Sequence, residues 1–357
     1  MKKVLLISHY PPPNGGIATW TKRLLETGLP GDWDIVHINS NMIGGRDSKD
    51  TSIKLNVEIK RCFGIWGKER NALKADKAHD IKVVHTCIPC KLLGMFREII
   101  TGIIAKVQGR KFIVHCRCTV PNVVNSKFKR FIFKLLTNLC DGVMVLNGKS
   151  LDFVEGIVKK DCYVELIPNF VSEDEFIKGE RDYRDRITDL IYDGGVMAEK
   201  GCDVIIEAAR ELPEITFHLV GSIGPDIMAI DVPKNVILYG NKDKSFVQEM
   251  LLKCDAFLFL THFWGEGFSN SLVEAMSAGL PCIVSDWSAN VDMVGNEGGV
   301  VLKECTPEEL IRAIKKIESI DMRKDMGNRN IKVSRERYSE TVIVPRYTRF
   351  YEELLRR

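Results

Sequence analysis

Gly265-Glu266-Gly267-Phe268-Ser269-Asn270-Ser271-Leu272-Val273-Glu274-Ala275-Met276-Ser277-Ala278-Gly279-Leu280-Pro281 lies between two short apolar runs, Ala256–Leu260 and Pro281–Ser285. Its pattern predicts a helix over 270–278. Ser269 or Asn270 suits the N-cap, Gly279 the stop, and Pro281 the opening of the next strand. A glycine-rich turn between a strand and a helix lets the backbone approach an anion, and the free N–H groups at the helix start point at it. Glu274, in the first turns of that helix, is placed to accept hydrogen bonds from a diol such as a ribose beside a bound phosphate. Glu266, in the loop, faces the same place. As residues alone, each carboxylate is also readable as a helix cap or a solvated surface charge.

Strand and helix patterns alternate on both sides of this stretch. Val4–Ser8, Asp34–Ile38, Ile81–His85, Lys111–His115 and Gly142–Leu146 read as strands in the first half, with helical segments at 17–29, 91–107 and 149–158. The charged, turn-rich stretch 172–189 reads as a linker. Alternation then restarts, with strands at 189–192, 216–220, 256–260 and 281–285, and helices at 203–211, 270–278 and 307–319. Such alternation implies α/β architecture, with parallel sheets covered by helices. A chain of 357 residues accommodates two such domains. Ligands of these sheets bind at the carboxyl ends of the strands. Gly15-Gly16, Gly194-Gly195 and Gly265–Ser271 are three glycine turns placed there, and the strand readings put His85 and His115 at such ends too.

The run Glu266–Pro281 resembles the E-x7-E signature of retaining glycosyltransferases of family 4 (glycosyl transferases group 1), which have two Rossmann-like domains facing a cleft, the GT-B fold. The likeness continues in order along nearly the whole chain. Pro13-Asn14-Gly15-Gly16 resembles the family's N-terminal glycine loop, Ile167-Pro168-Asn169-Phe170-Val171 its I-P-N-G-V, and Glu199-Lys200-Gly201-Cys202-Asp203 its E-K-G-x-D. Leu219-Val220-Gly221 and Cys254-Asp255-Ala256 match further stations. The resemblance implies an acceptor domain at 1–168, completed by a C-terminal helix at about 340–357, and a nucleotide-sugar donor domain at 169–339.

It also implies the chemistry. A hexose-type sugar would pass from a UDP- or GDP-sugar to a glycan or polyprenyl-diphosphate-linked acceptor with retention, in bacterial surface-polysaccharide assembly. Glu266 would contact sugar hydroxyls, Lys200 the diphosphate, Glu274 the ribose, and His115 the donor sugar. Gly15, Gly16, Gly267, Phe268, Ser269 and Asn270 would complete the donor site. A cation and helix N-termini can neutralise the departing diphosphate without a metal, so no cofactor is expected. One departure stands out. The family reads G-R-L-x-x-E-K-G, but here Gly195 holds the arginine's position in Gly194–Gly201. Arg117 and Lys149 are candidates to replace it. That departure keeps a non-catalytic nucleotide-sugar-binding paralogue in view. A nucleotide-sugar epimerase of the same architecture is a further alternative, but it needs an acid–base set that the sequence does not display.

The net charge of +3 conceals an asymmetry. Residues 1–170 carry 27 basic against 15 acidic side chains, and 91–134 carries ten basic side chains and one acid, Glu98. A basic half suggests an anionic partner. Lys127–Leu136 mixes cations with bulky apolar residues, which is readable as a helix with one buried stripe or as a contact with an anionic membrane surface. Membrane contact is the expectation; nucleic acid is not, because no nucleic-acid module accompanies the charge. The opening apolar run, Val4–Ile7, is too short for a secretory core. A cytoplasmic protein, peripheral on the inner face of the cell membrane, is expected. The 11 cysteines read as free thiols used as small apolar residues. His85, Cys87 and Cys90, with His115, Cys116 and Cys118, raise zinc. Successive strand residues point to opposite faces, which sets His115 apart from Cys116 and Cys118, and no metal ligand is assigned.

Overall fold

Val4, Leu5, Leu6 and Ile7 are all buried. The first apolar run is therefore covered on both faces, as the centre of a parallel sheet requires. The computed structural model describes residues 1–41 and 55–357. Its first sheet contains β1 (Lys2–Ser8), β2 (Trp33–Asn39), β3 (Ile81–Ile88), β4 (Lys111–Cys116), β5 (Gly142–Val145) and β6 (Tyr163–Leu166), in the order β2-β1-β3-β4-β5-β6. Every neighbouring pair is parallel. The second sheet contains β7 (Asp189–Asp193), β8 (Thr216–Val220), β9 (Val236–Leu238), β10 (Ala256–Phe259), β11 (Cys282–Ser285) and β12 (Gly299–Leu302). Its order is β12-β11-β10-β7-β8-β9, again parallel throughout. The α/β class with two Rossmann-like sheets is thus the observed one.

The chain divides into two compact units, residues 1–169 with 341–357, and residues 170–340. In the first unit, one face of the sheet sends Leu5, Ile7, Val84, Phe112 and Val114 into a core. That core is closed by Ile65 of helix Leu55–Ala75, Met95 of helix Leu92–Val107 and Phe133 of helix Lys127–Leu139. The opposite face carries His85 and His115. It meets Trp20 of helix Gly16–Thr27 and Tyr347 and Tyr351 of helix Glu340–Arg356. Tyr347 accepts a 2.9 Å bond from Trp20 Nε1, and Glu352 accepts from Lys2 and from Trp33 Nε1. The C-terminal helix is thereby held to β1 and β2.

In the second unit, Asp255 carries a structural task. Its carboxylate accepts from the backbone N–H groups of Thr188 and Asp189, at 2.8 and 2.9 Å, and so aligns the start of β7 against β10. The stretch 172–189 differs from the linker expected of it. Arg181 is buried and donates to the carbonyls of Leu251, Ala278 and Cys254, while Tyr183 Oη donates to the Gly279 carbonyl. Its charges and turns are those of a segment that caps exposed helix carbonyls, which composition alone does not distinguish from a solvated tether. His85 also differs from its expected strand-end position. β3 runs on through Thr86, Cys87 and Ile88, placing His85 in mid-strand.

Candidate active site

Strand order reverses direction between β7 and β10, and such a switch point opens a crevice at the carboxyl ends of the strands. Both strands deliver candidate residues there. After β7 the chain passes through Gly194 and Gly195 into a short 3-10 turn, Ala198–Lys200, and then helix Cys202–Arg210. Gly201, between the two, has φ +77°, and a Cβ there would lie 2.5 Å from the Leu260 carbonyl oxygen. Only glycine permits this left-handed close approach. It brings the turn against the end of β10, where His262 N–H donates to the Glu199 carbonyl.

Lys200 is the consequence. Its Nζ lies 2.5 Å from Glu266 Oε2 and 4.5 Å from the centre of the Phe263 ring. Both members of the ion pair are largely, not fully, buried, so a ligand can reach them. The loop that carries Glu266 is fastened by the segment after β11. Ser285 Oγ donates to the Thr261 carbonyl and Trp287 Nε1 to that of Phe263, while Ser288 Oγ reaches the carbonyls of Glu266 and Gly267. Phe268 is buried against the Tyr338 ring at 5.1 Å. These anchors restrict where the Glu266 carboxylate can go. Among them, Ser285, Trp287 and Ser288 escaped the sequence reading, since nothing local marks a serine or tryptophan one strand away.

Helix Asn270–Ser277 starts beside the pair. Ser269 is its N-cap, its hydroxyl accepting from Leu272 N–H at 3.2 Å. Ser271 Oγ donates to Asp193 Oδ2 at 2.9 Å, which ties the helix start to the end of β7. Burial raises the Asp193 carboxyl to about 6, with the Ser271 bond acting in the opposite sense. Asp193 was not singled out by the sequence; its position at a strand end before a glycine pair was the available signal. Glu274 is half-buried one turn along the helix, at the edge of a concavity that also includes Phe176, Ile177 and Leu251. Lys200, Glu266, Gly267, Phe268, Ser269 and Asn270 therefore gather at two adjoining loops of one domain, while Glu274 lies further along the helix, beside Phe176, Ile177 and Leu251.

Gly15, Gly16 and His115 belong to the first domain. Gly15 is the N-cap residue of helix Gly16–Thr27, directly after the turn that follows β1. Trp20 of that helix touches His115 edge-on, with ring centres 5.3 Å apart. His115 is fully buried. Arg117 Nη1 lies 3.2 Å from its Nε2 and Arg117 Nη2 donates to Asn169 Oδ1, with the guanidinium 4.3 Å from the Trp20 ring centre. Burial, then the charge of Arg117, pushes the His115 imidazole well below its ordinary value. His85 goes down to about 3 for the same reasons and shares a 2.8 Å bond with Tyr351 Oη. Both imidazoles are neutral at physiological pH. Of the two cations considered as replacements for the arginine at position 195, Arg117 is thus engaged by His115, Asn169 and Trp20. Lys149 is exposed in the first turn of helix Gly148–Glu155.

The β3–β4 register sets Cys87 beside His115, and His85, Cys87 and His115 offer ligand atoms within 4.8 Å of one another. Cys90, Cys116 and Cys118 are not members of that trio. Its chemistry is poor for a divalent cation. Burial pushes the Cys87 thiol up to about 12, and the Arg117 cation sits against His115.

Residues 175–333 match the family model described as Glycosyl transferases group 1. That match spans most of the second domain. The chain is 26% identical over 258 residues to the Alpha-galactosylglucosyldiacylglycerol synthase of Streptococcus pneumoniae (strain ATCC BAA-255 / R6). The alignment covers 66% of the chain and 66% of that relative, about two thirds of its length. Among solved structures, sucrose-phosphate synthase from Thermosynechococcus elongatus matches 99% of both chains with a TM-score of 0.75 at 15% identity. HepE of Anabaena, in complex with UDP-glucose, matches with a TM-score of 0.71 at 12% identity over 99% of this chain and 100% of its own. At these identities the likeness is one of fold, and the fold is the GT-B architecture of glycosyltransferases.

Proposed function

We propose that this glycosyltransferase moves a hexose-type sugar from a UDP- or GDP-sugar to a glycan or polyprenyl-diphosphate-linked acceptor, with retention of anomeric configuration, in the assembly of a bacterial cell-surface polysaccharide. The observation that carries the reading is the Lys200–Glu266 pair at the switch point of the second sheet, beside the capped start of helix Asn270–Ser277. A nucleotide diphosphate leaving group gains negative charge as the glycosidic bond breaks. Lys200 would supply a cation for it, and the helix start its oriented dipole. Glu266, now 2.5 Å from Lys200, would exchange that partner for donor sugar hydroxyls when the diphosphate occupies the lysine. Glu274 would accept from the ribose diol. In the first domain, the Gly15–Gly16 turn would offer backbone N–H groups to phosphate, whereas the fully buried His115 would act through Arg117 and Trp20 rather than touch the donor sugar. The nucleotide-sugar donor has support in the UDP-glucose complex of HepE, and a lipid-borne acceptor in the name of the streptococcal relative.

Transfer is proposed to need no metal, because Lys200 and the helix start perform the neutralisation that a divalent ion performs elsewhere. The protein is proposed to work in the cytoplasm, at the inner face of the membrane. No described helix is long and apolar enough to cross a membrane. The test is incubation of purified protein with UDP- and GDP-sugars, following sugar release and the anomeric configuration of the product by NMR. A product with the anomeric configuration of the donor supports the reading; inversion overturns the retaining part, and a changed stereocentre without transfer indicates an epimerase.

A second reading is favoured by one observation. Gly195 replaces the expected arginine, and Lys200 is already neutralised by Glu266. A protein that binds nucleotide sugars without turning them over has that profile. Donor binding in a thermal-shift screen, with neither hydrolysis nor transfer, would establish it.

A further inference from the structure

Helix Leu92–Val107 is apolar on its buried and its exposed sides alike. Inward, Met95 and Ala105 join the core with Leu92, Ile99 and Ile104 packed against it, beside the buried Arg97, Glu98 and Thr101, while outward Phe96, Ile100, Ile103 and Val107 are exposed, Val107 by 78%. A helix on a solvated domain surface normally turns its apolar stripe inward. The two helices that pack beside it also expose apolar side chains on their outer sides. Helix Lys127–Leu139 buries Ile132, Phe133 and Leu136 in the core but also exposes Phe128, Phe131 and Leu135, with Phe131 58% exposed. On helix Leu55–Ala75, Ile59 and Phe63 are exposed, and Trp66 Nε1 fastens it to the Arg97 carbonyl at 3.2 Å. An apolar outer surface therefore spans three adjoining helices of one domain, larger than scattered exposure produces.

The charges on these helices select the occupant. Their three carboxylates, Glu58, Glu69 and Glu98, are all buried. Glu98 is bonded to Arg97 and Glu58 to Arg61. Burial, then the charge of Glu98, holds Glu69 up at about 9. The cations take the opposite course. Lys60, Lys68, Arg70, Lys127, Arg130 and Lys134 are exposed. Lys127 and Lys134 form no ion pair among the described residues. The outer surface of the three helices is thus apolar and cationic, with no exposed carboxylate.

We infer that this face seats the first domain in the headgroup region of an anionic bilayer, with the Phe96, Val107 and Phe131 side chains entering the acyl boundary and the lysines meeting lipid phosphates. Such a combination is what a monotopic contact requires. The inference deepens the acceptor half of the proposed function and rests on it only for its purpose, which is to bring the enzyme to a lipid-linked acceptor.

The test is co-sedimentation of the full-length protein with vesicles of phosphatidylcholine containing phosphatidylglycerol, and with pure phosphatidylcholine, at low and high salt. UDP-sugar hydrolysis and melting temperature are followed in parallel. Wild type is expected to bind the anionic vesicles at low salt and to release as salt rises. Phe96→Ser with Phe131→Ser, and separately Lys127→Glu with Lys134→Glu, are each expected to weaken binding about tenfold or more, with hydrolysis and melting unchanged. Wild type that ignores anionic vesicles, or variants that bind as wild type does, would overturn the inference. So would a wild-type dimer that the Phe96/Phe131 variant converts to monomer, because the face would then belong to a second copy. Hydrolysis that survives loss of vesicle binding leaves the transferase reading standing. Vesicle binding by a protein that hydrolyses no nucleotide sugar separates the two in the other direction.

Discussion

Lys200 Nζ and Glu266 Oε2 are 2.5 Å apart, joining the turn after β7 to the loop after β10. In the proposed function, a donor diphosphate would displace the carboxylate from this cation. Lys200→Ala is therefore expected to lower the transfer rate by about 10²–10³, the scale of losing one preorganised charge-stabilising group. Stability should fall by about 1–3 kcal/mol with the fold retained, since the largely buried Glu266 carboxylate loses this cation. Initial rates and a denaturant titration on the same preparation check this. Near-normal turnover would sink the assignment of the diphosphate site.

Glu274 projects from helix Asn270–Ser277 half-buried. The helix itself is held by the Ser269 cap and by Ser277 Oγ bonding to the Glu274 carbonyl, neither of which uses the carboxylate. Glu274→Ala should leave the fold intact and weaken donors carrying an intact ribose by about 1–3 kcal/mol, the cost of losing a charged hydrogen-bond partner. The measurement is the affinity of UDP against 2′,3′-dideoxy-UDP by titration calorimetry. Wild type should discriminate and the variant should not; equal discrimination by both removes Glu274 from the ribose.

Asp193 carries a pH signature. Its carboxyl is raised by burial to about 6, above the ~3.9 of an unfolded chain. The native state thus holds this proton more tightly. Asp193 contributes stability that is fully present below about pH 4 and is lost as pH rises through about 6. Asp193→Asn should be more stable than wild type by on the order of 1–2 kcal/mol at pH 7.5 relative to the difference at pH 4. Parallel urea titrations of the two proteins at pH 4 and 7.5 measure it, and a difference that does not vary with pH contradicts the assignment.

Chelation separates the proposed metal-free chemistry from its rival. Transfer is expected to proceed at an unchanged rate after dialysis against EDTA, and the purified protein is expected to hold less than stoichiometric zinc. The buried trio His85, Cys87 and His115 makes this a real test, because its ligand atoms do converge. A rate that falls on chelation and returns with a divalent ion would overturn the metal-free reading.

The strand–turn–helix alternation was legible because buried parallel strands are short apolar runs and helix ends are marked by residues such as Ser269 and Gly279. Element ends were less so. His85 was placed at a strand end, yet β3 continues for three more residues, because the polar His85, Thr86 and Cys87 are satisfied inside the core rather than by water. The 172–189 stretch misled for a related reason. Arg181 looks like a solvated charge in sequence, but three backbone carbonyls make its burial tolerable. The basic helix 127–139 is marked in sequence by its cations, whereas the outward apolar residues of helix 92–107 are not, because that helix also sends Met95 and Ala105 into the core and period alone does not separate the two sides.

The sequence by itself determined the local chemistry of this protein: glycine turns between strands and helices, a lysine before a left-handed glycine, and two carboxylates spaced along a loop and a helix. These are properties of neighbours along the chain, and neighbours suffice to specify them. Only the tertiary structure decided what those groups meet. Lys200 and Glu266 are 66 residues apart and pair because β7 and β10 adjoin. Asp193 and Ser271 bond for the same reason. Burial of Glu58, Glu69 and Glu98 leaves a cationic, apolar face that composition alone could not reveal. Side-chain direction and long-range adjacency follow from sheet order and helix packing, and neither is a property of any single stretch of chain.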